Sequence, residues 1–71
     1  MKNLKQIIEN IKTNKEIKDF YRPIEYAKEC AKNNINFSDF IEGLKKIGVT
    51  DGRKQRRYIN FNAKLNSTYD F

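Results

Sequence analysis

Apolar residues recur through most of the chain at spacings of three and four, which predicts amphipathic helices. The first segment places four apolar residues on one helical face: Leu4, Ile7, Ile8 and Ile11. We therefore expect a helix over about residues 4–11. Thr13 and Asn14 are weak helix formers, and they either end this helix or cap a continuation through residues 17–21.

Pro23 predicts the start of a second helix, over about residues 23–32. The proline ring disfavours a helical conformation at Arg22, but it suits the first turn of a new helix. Ala27 and Ala31 lie four residues apart, so they share one face of this helix. Their small side chains are typical of a face that another helix approaches closely.

A third helix is expected over about residues 39–47, after a turn at Asn33 and Asn34, which tolerate left-handed backbone. Ser38 is the candidate N-cap, because its hydroxyl can accept a hydrogen bond from a free backbone N–H. Four apolar residues of this helix are predicted to be buried: Phe40, Ile41, Leu44 and Ile47. Gly43 lies between them and suggests close approach by another part of the chain.

Gly48 predicts the end of the third helix, since glycine adopts left-handed backbone without steric cost. Thr50 or Asp51 can then cap a fourth helix over about residues 52–65. An apolar stripe runs along this helix at spacings of three and four, and it consists of Tyr58, Phe61 and Leu65.

The chain shows neither the alternating pattern of strands nor an internal repeat. We predict an all-α fold, a small bundle of about four short helices, with residues 1–66 forming a single domain. Residues 67–71 lack periodicity, so we expect a frayed C-terminal tail, although Tyr69 and Phe71 could dock onto the core. A core this small is near the lower limit for one domain, and homodimerisation is a plausible supplement.

Positive charge is concentrated in the last third of the chain. Residues 1–44 contain eight cationic and seven anionic side chains, a net charge of +1. Residues 45–71 contain seven cationic and two anionic side chains, a net charge of +5. Three of the four arginines lie between Arg53 and Arg57. This asymmetry favours a polyanionic partner, and nucleic acid ahead of an anionic membrane.

Several chemistries lack the residues they require. The chain has no histidine and one cysteine, so the usual zinc sites and the Ser-His or Cys-His nucleophile pairs are absent from it. Its three glycines form neither a dinucleotide-binding fingerprint nor a P-loop. We therefore expect no catalytic residue, no metal site, no cofactor and no enzymatic activity. Cys30 is interpreted as a small buried hydrophobic residue.

The N-terminus lacks the apolar core of a signal peptide, and no apolar run is long enough to span a membrane. A lone cysteine fits a reducing compartment. These features predict a soluble cytoplasmic protein that does not interact with a membrane.

The run from Leu44 to Thr50 resembles the turn of the helix-turn-helix motif, with glycine between two apolar residues and a hydroxyl residue following. Residues 58–60 resemble the end of a recognition helix. The resemblance covers residues 44–62 and is to small helix-turn-helix DNA-binding proteins of phages and plasmids. It implies that the fourth helix enters the major groove. In an alternative phasing, residues 23–32 and 38–47 form the motif and the basic segment grips the DNA backbone.

The basic segment and the helix-turn-helix resemblance together predict that the protein binds nucleic acid, with DNA favoured over RNA. It would act as a transcription regulator or as an accessory factor of a phage or plasmid. Arginines would make forked contacts to guanine or phosphate, and lysines would act as point charges on phosphates. Gln55, Asn60 and Asn62 are possible base readers. Tyr58 could stack on a base, but helix packing is the favoured explanation for it. The candidate nucleic-acid-binding residues are Lys45, Lys46, Thr50, Arg53, Lys54, Gln55, Arg56, Arg57, Tyr58, Asn60 and Lys64.

A second hypothesis belongs to a different class. Small chains rich in lysine, asparagine and isoleucine also resemble phage- and plasmid-encoded inhibitors of host proteins, including anti-CRISPR proteins. Such a protein would use its basic face against a host protein rather than against nucleic acid.

Overall fold

The computed structural model of this protein describes residues 2–69 and is all-α across that range. Four α-helices follow one another: α1 (Leu4–Thr13), α2 (Arg22–Lys32), α3 (Phe37–Lys46) and α4 (Gly52–Tyr69). A short 3-10 helix, Asp19–Tyr21, precedes α2. The predicted bundle of four helices is confirmed. None of the described helices is long and apolar enough to cross a membrane.

α1 starts in a capping box. The Asn3 side chain accepts a hydrogen bond from the backbone N–H of Gln6, and the Gln6 side chain accepts one from the backbone N–H of Asn3. The helix ends at Thr13, and Asn14 turns the chain by accepting a hydrogen bond from the backbone N–H of Glu16. Of the two outcomes expected near Thr13, the structure therefore has the helix end.

α2 begins at Arg22, one residue before Pro23. Arg22 has helical backbone angles although a proline follows it, which differs from the expectation. Its guanidinium group donates hydrogen bonds to the Asp19 carboxylate and to the Ile11 backbone carbonyl. We attribute the helical conformation to these contacts, because they outweigh the local bias that the proline imposes.

The ends of α2 and α3 share one capping arrangement, the Schellman motif. Asn34 and Gly48 supply the left-handed residue, with φ angles of 54° and 99°. The N–H of Ile35 then donates to the Cys30 carbonyl, and the N–H of Val49 donates to the Leu44 carbonyl at 2.9 Å. The predicted turns at both positions are confirmed.

The start of α3 differs from the prediction. Asn36, rather than Ser38, is the N-cap, since its side chain accepts a hydrogen bond from the backbone N–H of Asp39. Asparagine and serine are nearly equal in their preference for the N-cap position, so this preference does not favour Ser38 over Asn36.

α4 starts beside Asp51, whose carboxylate accepts hydrogen bonds from the backbone N–H groups of Arg53 and Lys54. Asp51 is therefore the cap, rather than Thr50. The helix continues to Tyr69, so the prediction of an end near Leu65 is wrong, and α4 includes residues 67–69 of the stretch for which a frayed tail is expected. Asp70 and Phe71 lie outside the described residues, as do the side-chain contacts proposed for Tyr69.

At the centre of the core, α2 packs against α3. Tyr26 is fully buried, stacks on Phe40 with ring centroids 5.3 Å apart, and donates a hydrogen bond from its hydroxyl to the Phe40 carbonyl. A Cβ atom on Gly43 would lie 1.8 Å from the Tyr26 hydroxyl oxygen. The close approach suggested by Gly43 is therefore made by a side chain of α2. Cys30 is also fully buried, as predicted.

α4 packs mainly against α2. Ala27 and Ala31 are buried, and Asn62 of α4 donates a hydrogen bond to the Ala27 carbonyl at 3.1 Å. The small residues of α2 thus admit α4, as their spacing indicated. This contact fixes which face of α4 points toward the core and which points toward solvent.

Candidate nucleic-acid interface

The solvent-facing side of α4 carries a continuous row of polar and basic side chains. Residues three and four apart lie on one face of a helix. We use the name basic stripe for the exposed residues that follow this spacing, which are Arg53, Arg56, Arg57, Asn60 and Lys64. At a rise of about 1.5 Å per residue, the basic stripe is about 17 Å long.

The helix that carries the basic stripe has no acidic residue of its own. The sequence from Gly52 to Tyr69 has five cationic residues and no acidic residue. The carboxylate of Asp51 faces the backbone N–H groups at the start of the helix, where it serves as the N-cap. From Arg53 to Asn60, the exposed face of α4 therefore carries only cationic and neutral side chains.

The arginines of the basic stripe are available for contacts with another molecule. Within the range that the structure describes, the side chains of Arg53, Arg56 and Arg57 form no ion pair and no hydrogen bond with the protein's own groups. Three ion pairs between described residues lie outside α4: Lys2 with Glu29, Arg22 with Asp19, and Lys28 with Glu25. The three guanidinium groups thus keep their full hydrogen-bonding capacity.

Four other candidate residues are exposed but lie off the basic stripe. Lys54 is in the first turn of α4, on the side of the helix that borders the chain before α2. Lys45 and Lys46 occupy the last turn of α3, and Thr50 lies in the connection between α3 and α4. They extend the positive surface at one end of α4.

Two candidates have structural roles. Gln55 is half-buried, and its side-chain amide donates a hydrogen bond to the Val49 carbonyl at 2.9 Å, which ties α4 to the preceding turn. Tyr58 is half-buried and packs against the core. The helix-packing explanation of Tyr58 therefore fits the structure, and the amide of Gln55 is already engaged.

The three polar residues considered as base readers differ in how far their side chains are exposed. Asn62 is 5% exposed and bonded to α2, so it does not face solvent. Asn60 is exposed and lies among the arginines of the basic stripe. Of the three, Asn60 is the one whose side chain is open to a ligand.

Sequence reasoning missed one residue beside the interface. Phe20 is 78% exposed and lines a groove together with Arg57 and Tyr58. The sequence pattern places Phe20 only in a possible continuation of α1 through residues 17–21, which gives it no functional role. The signal that could have identified it is its position between the weak helix formers at 13–14 and Pro23, a short segment where helical periodicity need not hold.

Comparisons of the chain with protein-family models, with curated proteins and with solved structures give no match. The geometry of α4 is therefore the observation from which a function has to be argued.

Proposed function

We propose that this protein binds the phosphate backbone of nucleic acid, and duplex DNA in particular, through the basic stripe of α4. The observation that carries the proposal is the set of three exposed, unpaired arginines on one helical face: Arg53, Arg56 and Arg57. Guanidinium groups form paired hydrogen bonds with phosphate oxygens and with guanine. An α-helix fits the major groove, which is about 12 Å wide.

The position of the arginines along α4 supports the proposal. The N-terminal end of a helix carries partial positive charge, so cations there are unfavourable, and like charges at spacings of three and four add to this cost. Four cationic residues nevertheless occupy the first six positions of α4: Arg53, Lys54, Arg56 and Arg57. Sequences depart from such local preferences mainly at functional sites. A bound polyanion would offset the repulsion among these four cationic residues.

The helix-turn-helix resemblance is proposed in its first phasing, with α3 and α4 as the pair. In the alternative phasing, α3 would enter the groove. Its exposed residues include Asp39 and Glu42 as well as Lys45 and Lys46, so its surface is mixed in charge. α4 has no acidic residue and is better suited to lie between two phosphate backbones.

The experiment compares two charge reversals at equivalent helix positions. Arg53 and Lys5 are both the second residue of their helices, α4 and α1, and both are exposed. Arg53→Glu should raise the free energy of unfolding by about 0.5 kcal/mol or more, because a carboxylate suits the helix N-terminus and would face Arg56 and Arg57. In Lys5→Glu the same gain is offset by repulsion from Glu9, four residues on, so its stability should change by less than about 0.5 kcal/mol. Arg53→Glu should also weaken binding to a labelled duplex by about tenfold or more, whereas Lys5→Glu should change it little.

The paired design separates binding from folding, since neither variant is expected to lose enough stability to unfold. Equal affinity of the two variants for duplex would contradict the proposal. Failure of micromolar wild-type protein to shift any duplex at low salt would also contradict it, and would favour the host-protein partner instead.

A further inference from the structure

A groove lies beside the basic stripe, between the segment before α2 and the start of α4. Its volume is about 400 Å³, and Phe20, Tyr58, Lys54 and Arg57 line it. A smaller cavity of about 160 Å³ shares Phe20, Tyr58 and Arg57 with it. The larger volume falls within the range of about 300–1,000 Å³ that small-molecule sites occupy.

The lining combines aromatic rings with positive charge. Asp19 and Arg22 also border the groove, but they pair with each other at 2.9 Å, so their charges offset. Lys54 and Arg57 remain, which gives the groove an excess of two positive charges. Phe20 is 78% exposed, and it does not pack against the core, so most of its apolar ring stays in contact with water.

We propose that this groove binds one unpaired nucleotide, whose base stacks on Phe20 and whose phosphate contacts Arg57 and Lys54. Aromatic side chains stack on any base, and cationic side chains beside them contact the backbone, which is how single-stranded nucleic acid is held. The inference rests on the proposed function and makes it more specific, because a base inside a duplex is not free to enter the groove.

Arg57 connects the two sites. It belongs to the basic stripe and also lines both cavities. A strand that leaves a duplex bound on α4 would therefore meet the groove directly beside its last phosphate contact. The preferred ligand is a duplex with a short unpaired extension, rather than a blunt duplex.

The test measures affinity by fluorescence anisotropy for three probes. The first is a blunt duplex, the second is the same duplex with a short single-stranded extension, and the third carries an extension of equal length made of abasic sites. The second and third probes carry the same phosphates and differ only in bases. We expect the extension with bases to bind at least about fivefold more tightly than the other two, since stacking on an aromatic side chain contributes about 1–3 kcal/mol per base.

Phe20→Ala should abolish this gain. Phe37→Ala is the matched control, because Phe37 is also a highly exposed phenylalanine, at 61%, and lies on α3 outside the groove. Neither ring is part of the core cluster, so both variants are expected to fold.

Every outcome decides between the two proposals. If the abasic extension binds as well as the extension with bases, or if the gain survives in Phe20→Ala, the groove proposal is wrong and binding through the basic stripe stands. If the blunt duplex and the abasic probe do not bind but the probe with an extension of bases binds in a Phe20-dependent manner, the groove proposal stands and duplex binding through the basic stripe is wrong. If no probe binds, both are wrong.

Discussion

Gly43 is the residue whose substitution should affect packing most directly. The Tyr26 ring occupies the space that any side chain at this position would need, and its hydroxyl is held by the Phe40 carbonyl. Alanine would ordinarily stabilise a helix interior by about 1 kcal/mol relative to glycine. Here the added methyl group would force a buried ring to move, and overpacking of this kind costs about 1–3 kcal/mol.

Gly43→Ala should therefore lower the free energy of unfolding by up to about 2 kcal/mol, the overpacking cost less the helix gain, measured by urea denaturation. Gly52→Ala is the control, because no atom lies within 4 Å of the position where its Cβ would be built. It should leave stability unchanged or slightly higher. A Gly43→Ala variant as stable as Gly52→Ala would show that the Tyr26 ring does not fill this space.

Burial of Cys30 predicts a pH dependence of stability. Burial raises the pKa of the Cys30 thiol from 9.0 to about 11. Below pH 9 the thiol is protonated in both the folded and unfolded states, so it contributes no pH dependence. Between pH 9 and 11 the unfolded chain releases a proton that the folded protein retains. The free energy of unfolding should then fall by about 1.4 kcal/mol per pH unit.

Cys30→Ala isolates this contribution. Burial also raises the pKa of Tyr26 above its usual range, so the variant should retain some loss of stability at high pH. The wild-type protein should lose stability more steeply than Cys30→Ala across pH 9–11 when unfolding is followed by circular dichroism. Parallel pH profiles for the two proteins would contradict the assignment of a raised thiol pKa.

One face of α4 is buried and the other is exposed, and substitution of one asparagine on each face tests this orientation. Asn62 is buried and bonded to the Ala27 carbonyl, whereas Asn60 is exposed on the basic stripe. Asn62→Ala should lower the free energy of unfolding by about 1 kcal/mol, because it removes a buried hydrogen bond between α4 and α2, while the Ala27 carbonyl keeps its bond within α2. Asn60→Ala should change it by less than about 0.5 kcal/mol. Thermal unfolding of both variants checks the difference, and equal stability would contradict this orientation of α4.

Periodicity predicted the four helices because burial of an apolar face dominates their stability. Helix ends were harder to predict, since several polar residues near each end can serve as caps. Asn36 and Ser38 both suit the start of α3, and the sequence did not distinguish them. The start of α4 left two candidates, and the structure selects Asp51.

The candidate site was predictable where it depends on spacing along one helix. The three arginines of the basic stripe follow that spacing, so the sequence was sufficient to place them together. The role of Gln55 depends on a contact with the Val49 carbonyl, and the position of Phe20 depends on how the segment before α2 folds. Contacts between separate elements of this kind have no signature in the local pattern.

Over the whole molecule, positive charge and packing are divided between different surfaces. The radius of gyration is 11.1 Å, close to the value of about 11 Å for a compact domain of this length. α1, α2 and α3 supply the core, and one face of α4 completes it. The opposite face of α4 is exposed to solvent, and we propose that nucleic acid binds there. Homodimerisation stays a prediction.

The salt dependence of duplex binding is the most direct test of this division. Each phosphate that a protein neutralises on B-DNA contributes about −0.9 to the slope of log K against log salt concentration. Contacts from the three arginines of the basic stripe and from Lys54 with roughly four phosphates predict a slope of about −3.6. Arg53→Ala/Arg56→Ala/Arg57→Ala should reduce the magnitude of this slope by about 2.5.

Lys5→Ala/Lys12→Ala/Lys15→Ala removes three exposed positive charges outside α4 and serves as the control. The slope should remain near the wild-type value in this variant, because its charges do not contact the DNA. The same slope in the wild-type protein and the arginine variant, or an equal reduction in both triple variants, would contradict an interface on α4.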